Sequence, residues 1–402
     1  MEITQKLDSG NIKLKEKRII FLSSEFPPGP GGIGTHAYQI ARFLHNQGLI
    51  VTVLSPQDHV NDESIEKYNC DQPFEIVRLE PKKVRILSII HKLNKIIATI
   101  NQFHPDLIIA SGVRAAQIIG LLSVVFHVPW IAVGHGSEFG HKRSLKTFFT
   151  RFVFNKANAI ISVSKYTQKA MENIGIKNPV NTIIHNGADQ NQFFRLTSQE
   201  IDQFRKDNYV QKKFVLLTVG SVTDRKGQEV VIRALPKMLE RNPNIVYWMA
   251  GLPQELDKLT QLAEELNVRQ SLKFWGTVSN DDLVKLYNAC DLFVMTSRQL
   301  ADGDFEGFGI AVIEAALCGR TAVVSGDSGL EEAVHNGITG CVIPQNDPEE
   351  LAKIVFQLAS DNLILEEFSQ NAYNNALNNQ TWDKVGVQYL KLVEKVLLNC
   401  GN

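Results

Sequence analysis

Two glutamates, Glu306 and Glu314, stand eight positions apart in the stretch DFEGFGIAVIEAALCG. Gly307 and Gly309 bracket Phe308 between them, and the apolar residues that follow predict a helix running through Glu314. The free backbone amides at a helix start suit a diphosphate, and carboxylates accept hydrogen bonds from the vicinal hydroxyls of a sugar and a ribose. These groups could therefore bind a diphosphate and sugar hydroxyls, although two glutamates eight apart are common by chance outside this glycine-rich context.

A second glycine-rich stretch, SSEFPPGPGGIGTHAYQIARFL, follows the apolar run RIIFL. Gly29, Gly31 and Gly34 have the spacing of a dinucleotide-binding loop, G-x-G-x-x-G. However, SSEFPP separates the run from Gly29, and the next predicted strand, LIVTVLS, ends without the acid that binds a ribose in such proteins. This context argues against an NAD enzyme. It favours a flexible loop before a helix that starts near Thr35, with amides that suit a phosphate or a sugar. An ordinary glycine-rich turn is the alternative.

The elements that must position these stretches alternate short β-branched runs with longer amphipathic ones, which is typical of βα units and parallel sheets. In the first half the predicted strands are RIIFL, LIVTVL, FEIVRL, DLIIA, WIAV, AIISV and NTIIH. In the second half they are FVLLTVG, NIVYWMAG, SLKFWG, DLFVMTS, TAVVSG and GCVIP. The sequence therefore predicts an α/β fold of two facing doubly wound Rossmann-like domains. Ligands bind at the carboxyl ends of the strands in such sheets, so we expect a cleft between them.

The length of 402 residues fits two domains. We expect an N-terminal Rossmann-like domain over 1–200, a C-terminal Rossmann-like domain over 201–380, and a final helix over 381–402 that packs back on the first domain. A polar connection over 191–213 carries a short helix in this interpretation. Residues 1–195 hold eight more basic than acidic side chains and residues 196–402 hold nine more acidic than basic ones. This asymmetry indicates that the two halves face different partners.

Composition narrows the compartment and the class of partner. Five widely spaced cysteines without a C-x-x-C motif favour reduced thiols in a cytoplasmic protein. The polar start does not resemble a signal peptide, and no stretch approaches the ~20 uncharged apolar residues of a membrane span. A net charge of −1 and the lack of a binding motif argue against nucleic acid as a partner.

The stretch around the two glutamates resembles the E-x7-E signature of the retaining GT-B glycosyltransferases of family 4. Other stretches resemble motifs of that family, in order and over nearly the whole chain: FPPGPGGIG at 26–34, GHGSE at 134–138, SVSKYT at 162–167, HNGAD at 185–189, GSVTDRKG at 220–227, FWGTV at 274–278 and GLEEAVHNGITG at 329–340. Their order and spacing make the resemblance specific.

The resemblance implies a role for each candidate site residue. Glu306 would bind hydroxyls of the donor sugar, Lys226 would neutralise the leaving diphosphate, and His135 would meet the donor sugar near the reacting carbon, which makes these three the candidate catalytic residues. Glu314 would bind the ribose hydroxyls. The other candidate donor-binding residues are glycines near the phosphates, loop residues around the diphosphate, and backbone beside the base: Gly31, Gly32, Gly34, Ser221, Arg225, Thr277, Val278, Phe308, Gly309 and Ile310.

Each of the polar candidates also has a purely structural interpretation. His135 fits a turn histidine, Lys226 a solvated surface lysine, and Glu314 a helix carboxylate near the positive end of the helix dipole. Ser221 departs from the family pattern, because many relatives carry arginine there. Arg225 or Arg298 then becomes the candidate for the missing half of the cationic clamp.

No cofactor is expected, since the nucleotide sugar is a substrate. Asp302 and Asp304 form a D-x-D motif, which elsewhere coordinates a divalent metal. In this position it belongs to the loop that leads into the E-x7-E helix. Relatives of this fold balance charge with helix ends and basic side chains, so we expect a metal-independent enzyme.

The implied reaction is transfer of a hexose from a nucleotide sugar, with UDP-hexose favoured and GDP-mannose next, to a lipid-linked or polysaccharide acceptor in cell-envelope or exopolysaccharide assembly. No Asp or Glu in the matched motifs fills the role of a nucleophile. We therefore expect same-face attack in which the departing phosphate oxygen takes the acceptor proton. A sugar-nucleotide epimerase of the same fold and a non-catalytic nucleotide-sugar-binding subunit are the alternatives.

Two basic stretches of the first domain point to the acceptor. They are PKKVRILSIIHKLNK at 81–95 and HKRSLKTFFTRFVFNK at 141–156, the second with interleaved phenylalanines. Basic helices with bulky apolar faces suit an anionic membrane surface, so the inner face of the membrane is a candidate partner. The alternative is a pair of helices packed on the sheet with solvated lysines.

Overall fold

Two parallel sheets, each flanked by helices on both faces, form the core of the molecule. The structure is a computed structural model that describes residues 14–29, 31–56, 62–140 and 145–400. The first sheet has seven strands in the order β3-β2-β1-β4-β5-β6-β7, and the second has six in the order β10-β9-β8-β11-β12-β13. This confirms the predicted α/β fold of two doubly wound Rossmann-like units.

Every run that predicted a strand forms one. The first sheet consists of β1 Arg18–Ser23, β2 Ile50–Pro56, β3 Glu75–Leu79, β4 Leu107–Ser111, β5 Trp130–Gly134, β6 Ala159–Ser162 and β7 Asn181–Ile183. The second consists of β8 Phe214–Val219, β9 Ile245–Ala250, β10 Leu272–Phe274, β11 Leu292–Met295, β12 Ala322–Ser325 and β13 Gly340–Ile343. Central strands such as β4 and β11 are buried along their whole length, which explains their continuous apolar sequence.

Helices cover both faces of each sheet. The α-helices are α1 Gly32–Asn46, α2 Asp62–Cys70, α3 Arg85–Phe103, α4 Val113–Phe126, α5 Leu145–Phe154, α6 Lys165–Asn173, α7 Ser198–Asp207, α8 Gln228–Arg241, α9 Leu256–Glu265, α10 Asn280–Ala289, α11 Ile310–Leu317, α12 Pro348–Ser360, α13 Asn362–Asn379 and α14 Trp382–Cys400. Short 3-10 helices span Ser137–Phe139, Asp224–Lys226, Arg269–Ser271 and Gly329–Ala333. α7 is the short helix expected in the connection, and a capping box of Thr197 and Glu200 begins it.

The first helix begins earlier than the sequence indicated. It starts at Gly32, three residues before Thr35, because the backbone N–H of Thr35 donates to the carbonyl oxygen of Gly31 at 3.0 Å. Gly31 serves as the N-cap with φ 145°, a conformation that L side chains rarely adopt. The glycine loop is therefore shorter, and Gly32 and Gly34 belong to the helix.

The chain crosses between the two sheets twice, and the two crossings lie side by side. Ala188 forms a β-bridge with Thr381, and a Cβ on Gly187 would lie 2.8 Å from the carbonyl carbon of Thr381. Beyond this point α14 packs on α1, where Gly386 lies directly against the ring of Phe43. The division into 1–200, 201–380 and 381–402 remains our proposal for the domain boundaries.

Candidate functional site

A half-buried carboxylate between two cations forms the centre of the site. Glu306 Oε2 accepts hydrogen bonds from Lys226 Nζ at 2.7 Å and from Arg225 Nη1 at 2.6 Å. Both cations lie in the 3-10 helix that follows β8, which Thr223 caps by accepting from the backbone N–H of Lys226. Burial alone would raise the pKa of Glu306, but the charges of Lys226 and Arg225 lower it to about 2. The carboxylate is therefore ionised at neutral pH.

A second carboxylate completes this group of charges. Asp304 Oδ2 lies 3.3 Å from Arg225 Nε, so two carboxylates face two cations. Burial lowers the pKa of Lys226, and Glu306 opposes that effect. The pKa of Arg225 rises, because the attraction of Glu306 and Asp304 outweighs its burial. The arrangement presents fixed positive charge and a hydrogen-bond acceptor to the same space.

The start of α11 lies next to this group and leaves its amides open. Gly309 is the N-cap with φ 89°, and a Cβ there would lie 2.3 Å from Leu330 Cδ2, so only glycine fits. No side chain of the described residues caps α11, and its first turn carries no acid. Ile310 and the two residues before it therefore offer N–H groups to an anion.

Glu314 projects from α11 one turn further on. Tyr287 Oη donates a hydrogen bond to Glu314 Oε2 at 2.7 Å. Burial raises the pKa of Glu314 to about 7, although Tyr287 and the charge of Lys226 both favour the ionised form. This carboxyl group is therefore close to half ionised at neutral pH, in contrast to Glu306.

The glycine loop of the first sheet faces the start of α11. A Cβ on Gly32 would lie 3.7 Å from Ile310 Cδ1, which places the two helix starts in contact. A Cβ on Gly31 would overlap Glu25 Oε2, at 2.1 Å, and one on Gly34 would lie 3.2 Å from the backbone of Phe26. The glycines thus allow close packing of this loop at the cleft.

His135 follows β5 and lies against the loop that carries Glu306. A Cβ on Gly307 would lie 1.7 Å from the carbonyl oxygen of His135, so the two backbones touch. His135 Nε2 is 2.8 Å from Ser111 Oγ, and the ring of His36 packs edge-on to it at 4.8 Å. Burial lowers the pKa of His135 to about 3, so the imidazole is neutral. The structure therefore places the backbone of His135 against the loop of Glu306, whose side chain contacts Lys226, while the His135 ring contacts Ser111 and His36.

The remaining candidates lie at the carboxyl edge of the second sheet. Gly251 N donates to Gly276 O at 2.9 Å, and a Cβ on Gly251 would lie 2.1 Å from Gly220 O, so the ends of β8, β9 and β10 converge. Ser221 follows Gly220. Thr277 and Val278 follow Gly276, with Thr277 exposed and Val278 half-buried.

Of the two arginines considered for the missing cation, Arg225 faces Glu306. The guanidinium of Arg298 instead contacts Asp224 Oδ1 at 3.2 Å and Glu229 Oε2 at 3.0 Å, and its Nε donates to the carbonyl oxygen of Asp224. Arg298 therefore holds the loop that carries Arg225 and Lys226.

The D-x-D motif takes part in the same loop structure. The backbone N–H of Asp304 donates to Asp302 Oδ1 at 3.0 Å, while the Asp304 carboxylate faces Arg225. Among the residues that the structure describes, no group of three or more His, Cys, Asp or Glu side chains could hold a metal ion.

Several side chains at the cleft were not singled out by the sequence. Glu25 lies beside Gly31, His36 beside His135, and Glu332 and His185 join the two halves of the molecule. Glu25, His185 and Glu332 lie within or beside the motifs that resemble family 4, so the sequence could have indicated them as site residues. The hydrogen bond between Tyr389 Oη and His36 Nε2, at 2.7 Å, links positions 353 apart and has no local sequence signal.

Two facing Rossmann-like sheets, with an open helix start beside the paired charges of Glu306, Asp304, Arg225 and Lys226, fit a nucleotide-sugar glycosyltransferase of the GT-B class. Comparison with known families agrees: residues 30–192 match Glycosyltransferase Family 4, and residues 199–375 match Glycosyl transferases group 1. The chain belongs to glycosyltransferase family 4, and it is a glycosyltransferase.

Individual relatives share this architecture over most of their length. An uncharacterized glycosyltransferase of Methanocaldococcus jannaschii is 26% identical over 92% of this chain and 95% of its own. A GDP-mannose-dependent monoacylated alpha-(1-6)-phosphatidylinositol monomannoside mannosyltransferase of Corynebacterium glutamicum is 25% identical over 86% of this chain and 89% of its own. The crystal structure of Anabaena HepE in complex with UDP and glucose superimposes with a TM-score of 0.82 at 21% identity, covering 94% of this chain and all of that one.

Proposed function

We propose that this glycosyltransferase moves a hexose from a nucleotide sugar, with retention at the anomeric carbon, to a lipid-linked or polysaccharide acceptor in cell-envelope or exopolysaccharide assembly. The observation that carries the proposal is the ionised Glu306 held between Lys226 and Arg225 beside the open start of α11. This arrangement fits a sugar on one side and a diphosphate on the other.

Each candidate residue takes a role in this proposal. Glu306 accepts hydrogen bonds from the donor sugar, and Glu314 accepts them from the ribose. The diphosphate lies between Lys226, Arg225 and the amides of Phe308, Gly309 and Ile310. The remaining contacts come from the glycine loop, from the end of β8, and from backbone beside the base: Gly31, Gly32, Gly34, Ser221, Thr277 and Val278.

The proposed mechanism relies on position and charge. As the bond between sugar and diphosphate breaks, negative charge grows on the leaving phosphate oxygen, and Lys226 and Arg225 stabilise it. The acceptor hydroxyl attacks the anomeric carbon from the same face and passes its proton to that oxygen. Neutral His135 lies against the Glu306 loop, where it can orient the donor sugar without adding charge.

For the donor we favour UDP-hexose over GDP-mannose. The similarity in fold to HepE, whose structure holds UDP and glucose, supports UDP-hexose. The GDP-mannose-dependent relative of Corynebacterium glutamicum supports GDP-mannose as the second candidate. Because we assign the base to backbone around Thr277 and Val278, side chains give little information about its identity. The donor must therefore be identified directly.

The test offers radiolabelled UDP-glucose and GDP-mannose to the full chain, with anionic lipid extract and soluble polysaccharide as acceptors. Transfer of label from one donor, with an α-linked product from an α-linked donor, is the expected result. A product that forms without any acceptor would instead indicate the sugar-nucleotide epimerase. Nucleotide-sugar binding without any product would indicate the non-catalytic subunit.

We propose an anionic membrane surface as a further partner, on the side of α3, α4 and α5. These three helices pack their buried residues on the same face of the first sheet. Their outward faces expose a group of large apolar side chains: Val84, Ile86, Leu87, Ile89, Ile90, Leu121, Val124, Val125, Phe148 and Phe152. Exposed apolar patches on proteins mark interaction sites, which supports this proposal.

Basic residues accompany this apolar face, as an interfacial helix requires. Lys82, Lys83 and Arg85 are exposed at the start of α3. In α5 the expectation holds only in part, because Phe154 is buried and Phe149 is half-buried. His141, Lys142 and Arg143 of the second basic stretch lie outside the described residues, so they stay a prediction.

The proposed attachment is peripheral. No helix in the described segments is long and apolar enough to cross a membrane. The remaining basic residues of the two stretches are Lys92, Lys95, Lys146, Arg151 and Lys156. Arg151 and Lys156 lie over the rings of Phe148 and Phe152, at 4.9 and 4.4 Å, which keeps their charge beside the exposed rings. We propose that the enzyme works in the cytoplasm, at the inner face of the membrane.

A further inference from the structure

A carboxylate of the second half of the molecule caps a helix of the first half. Glu332 lies in the 3-10 helix Gly329–Ala333. Its Oε2 accepts from the backbone N–H of Lys165 at 2.9 Å, and its Oε1 accepts from that of Tyr166 at 3.0 Å. These are the first two N–H groups of α6, and Ser164 accepts the third, from Thr167. The carboxylate therefore satisfies a helix start across the cleft.

Glu332 also contacts His185, which belongs to the segment after β7. Its Oε2 lies 2.9 Å from His185 Nε2. The imidazole stacks on the ring of Phe308, with ring centres 5.1 Å apart and planes 19° apart. Phe308 is one of the residues whose backbone we assign to the donor. The Glu332 carboxylate thus contacts both α6 and His185, and through His185 it is linked to Phe308 in the loop that carries Glu306, here called the donor loop.

The same 3-10 helix packs on the donor loop directly. The backbone N–H of Gly329 donates to the carbonyl oxygen of Glu306 at 3.0 Å, and a Cβ on Gly329 would overlap Gly307 O, at 1.8 Å. Leu330 fills the space beside Gly309. Any movement of the first half that pulls on Glu332 therefore reaches the loop that carries Glu306.

We infer that Glu332 is a positioning residue that latches the two halves in the arrangement needed for sugar transfer. It touches neither the proposed donor nor the charge cluster, and it acts through α6 and His185. The effect of this latch on catalysis rests on the proposed function, sugar transfer from a nucleotide sugar. The latch itself is a statement about the two halves and can be tested without any donor.

Lys165 offers a sharp probe, because it is the first residue of α6. Proline is favoured at this position, and Ser164 before it is extended, as proline requires. Lys165→Pro removes one N–H that binds Glu332 and leaves every side chain of the second half intact. Lys165→Ala keeps that N–H and is the matched control.

The experiment measures small-angle scattering of the full chain for wild type, E332A, K165P, K165A and the double variant E332A/K165P. We expect E332A and K165P to increase the radius of gyration, K165A to match wild type, and K165P to add nothing in the E332A background. Affinity for UDP, or for GDP if that is the base, should change less than threefold, because all the assigned nucleotide contacts except those of Gly31, Gly32 and Gly34 lie in the second half. A merely structural role of Glu332 in the donor loop would weaken that affinity as well.

Two results would overturn the latch. One is a scattering curve of E332A and K165P identical to that of wild type. The other is an effect of K165P that persists in full without Glu332. If E332A fails to fold, the comparison of the radius of gyration between K165P and K165A tests the latch by itself. Failure of wild type to bind any nucleoside diphosphate would contradict the proposed function and leave the scattering result to stand by itself.

Discussion

The two groups of positive charge in this molecule are built in opposite ways. At the cleft, Arg225 and Lys226 are largely buried. Both lie within 2.7 Å of the Glu306 carboxylate, and Arg225 also lies 3.3 Å from the Asp304 carboxylate. At the start of α3, Lys82, Lys83 and Arg85 are exposed beside exposed apolar side chains. Buried cations need fixed partners, because desolvation is otherwise too costly, whereas exposed ones are stabilised by water.

The difference bears on what each group can recognise. A buried, paired cluster has one geometry, so it suits one ligand with charges at defined positions. An exposed basic and apolar surface has no such geometry, and its electrostatic part is screened by salt. We therefore interpret the cleft as the site of chemistry and the outer helices as an attachment surface.

Removing a charge from the cleft should have the largest effect. We expect Lys226→Ala and Glu306→Gln each to lower turnover at least about 100-fold, because each removes a fixed charge from the reacting centre. Transfer assays measure turnover, and circular dichroism checks folding. The control is Lys285→Ala, which breaks the exposed ion pair with Asp282 in the same half of the molecule. Near-normal turnover of either cleft variant would refute its assigned role.

Nucleotide affinity should depend on pH through Glu314. Its raised pKa of about 7 means that the carboxylate needed for ribose hydroxyls is mostly protonated at pH 6 and mostly ionised at pH 8. Because only the ionised fraction is competent, affinity for a nucleoside diphosphate should rise about tenfold over this range. Calorimetry at both pH values measures it.

The ligand's own phosphate also titrates near this range, so a control is required. Glu314→Gln keeps the size of the side chain and removes its ionisation. The part of the pH dependence that is due to Glu314 should disappear in this variant. An unchanged pH dependence would show that the carboxyl group does not contact the nucleotide.

Substitutions in the exposed apolar and basic face of α3, α4 and α5 should have smaller effects on membrane binding, since this face offers many equivalent contacts. We expect the double variant Ile86→Ser, Leu87→Ser to lower binding to anionic liposomes several-fold, with turnover on a water-soluble acceptor unchanged. Leu363→Ser, at a still more exposed leucine on α13, is the control. Flotation that does not distinguish anionic from neutral vesicles, or the variant from wild type, would argue against membrane attachment.

Metal removal should have no effect. Asp304 faces Arg225, and we assign diphosphate charge to cations and helix amides, so excess EDTA should leave turnover within twofold of its initial value. Loss of activity in EDTA that added Mg²⁺ or Mn²⁺ restores would contradict this prediction and indicate that the D-x-D motif binds a metal ion.

Much of the fold could be predicted from the sequence. Buried parallel strands such as RIIFL and DLIIA have continuous apolar sequence, and glycines such as Gly309 mark places where backbone must pack closely. The open start of α11 follows from the same local rules. These features depend on neighbours along the chain, so the sequence pattern is sufficient.

Long-range partners could not be predicted in this way. Glu332 and Lys165 are 167 positions apart, and nothing in either local sequence indicates that they meet. The roles of the two candidate arginines also depend on the fold, because Arg225 turns to Glu306 while Arg298 turns to Glu229. The start of α1 at Gly32 was missed because helix propensity disfavours glycine, whereas here the first hydrogen bond is to Gly31.

The most direct test of the proposed nucleotide-sugar site is calorimetric titration of the full chain with UDP, GDP and ADP in EDTA, beside Glu314→Ala and the exposed-site control Glu367→Ala. We expect one nucleoside diphosphate to bind wild type and the control equally and to bind Glu314→Ala at least about tenfold more weakly. Absence of binding to all three, or equal binding by all three proteins, would contradict the assignment of this cleft as the nucleotide-sugar site.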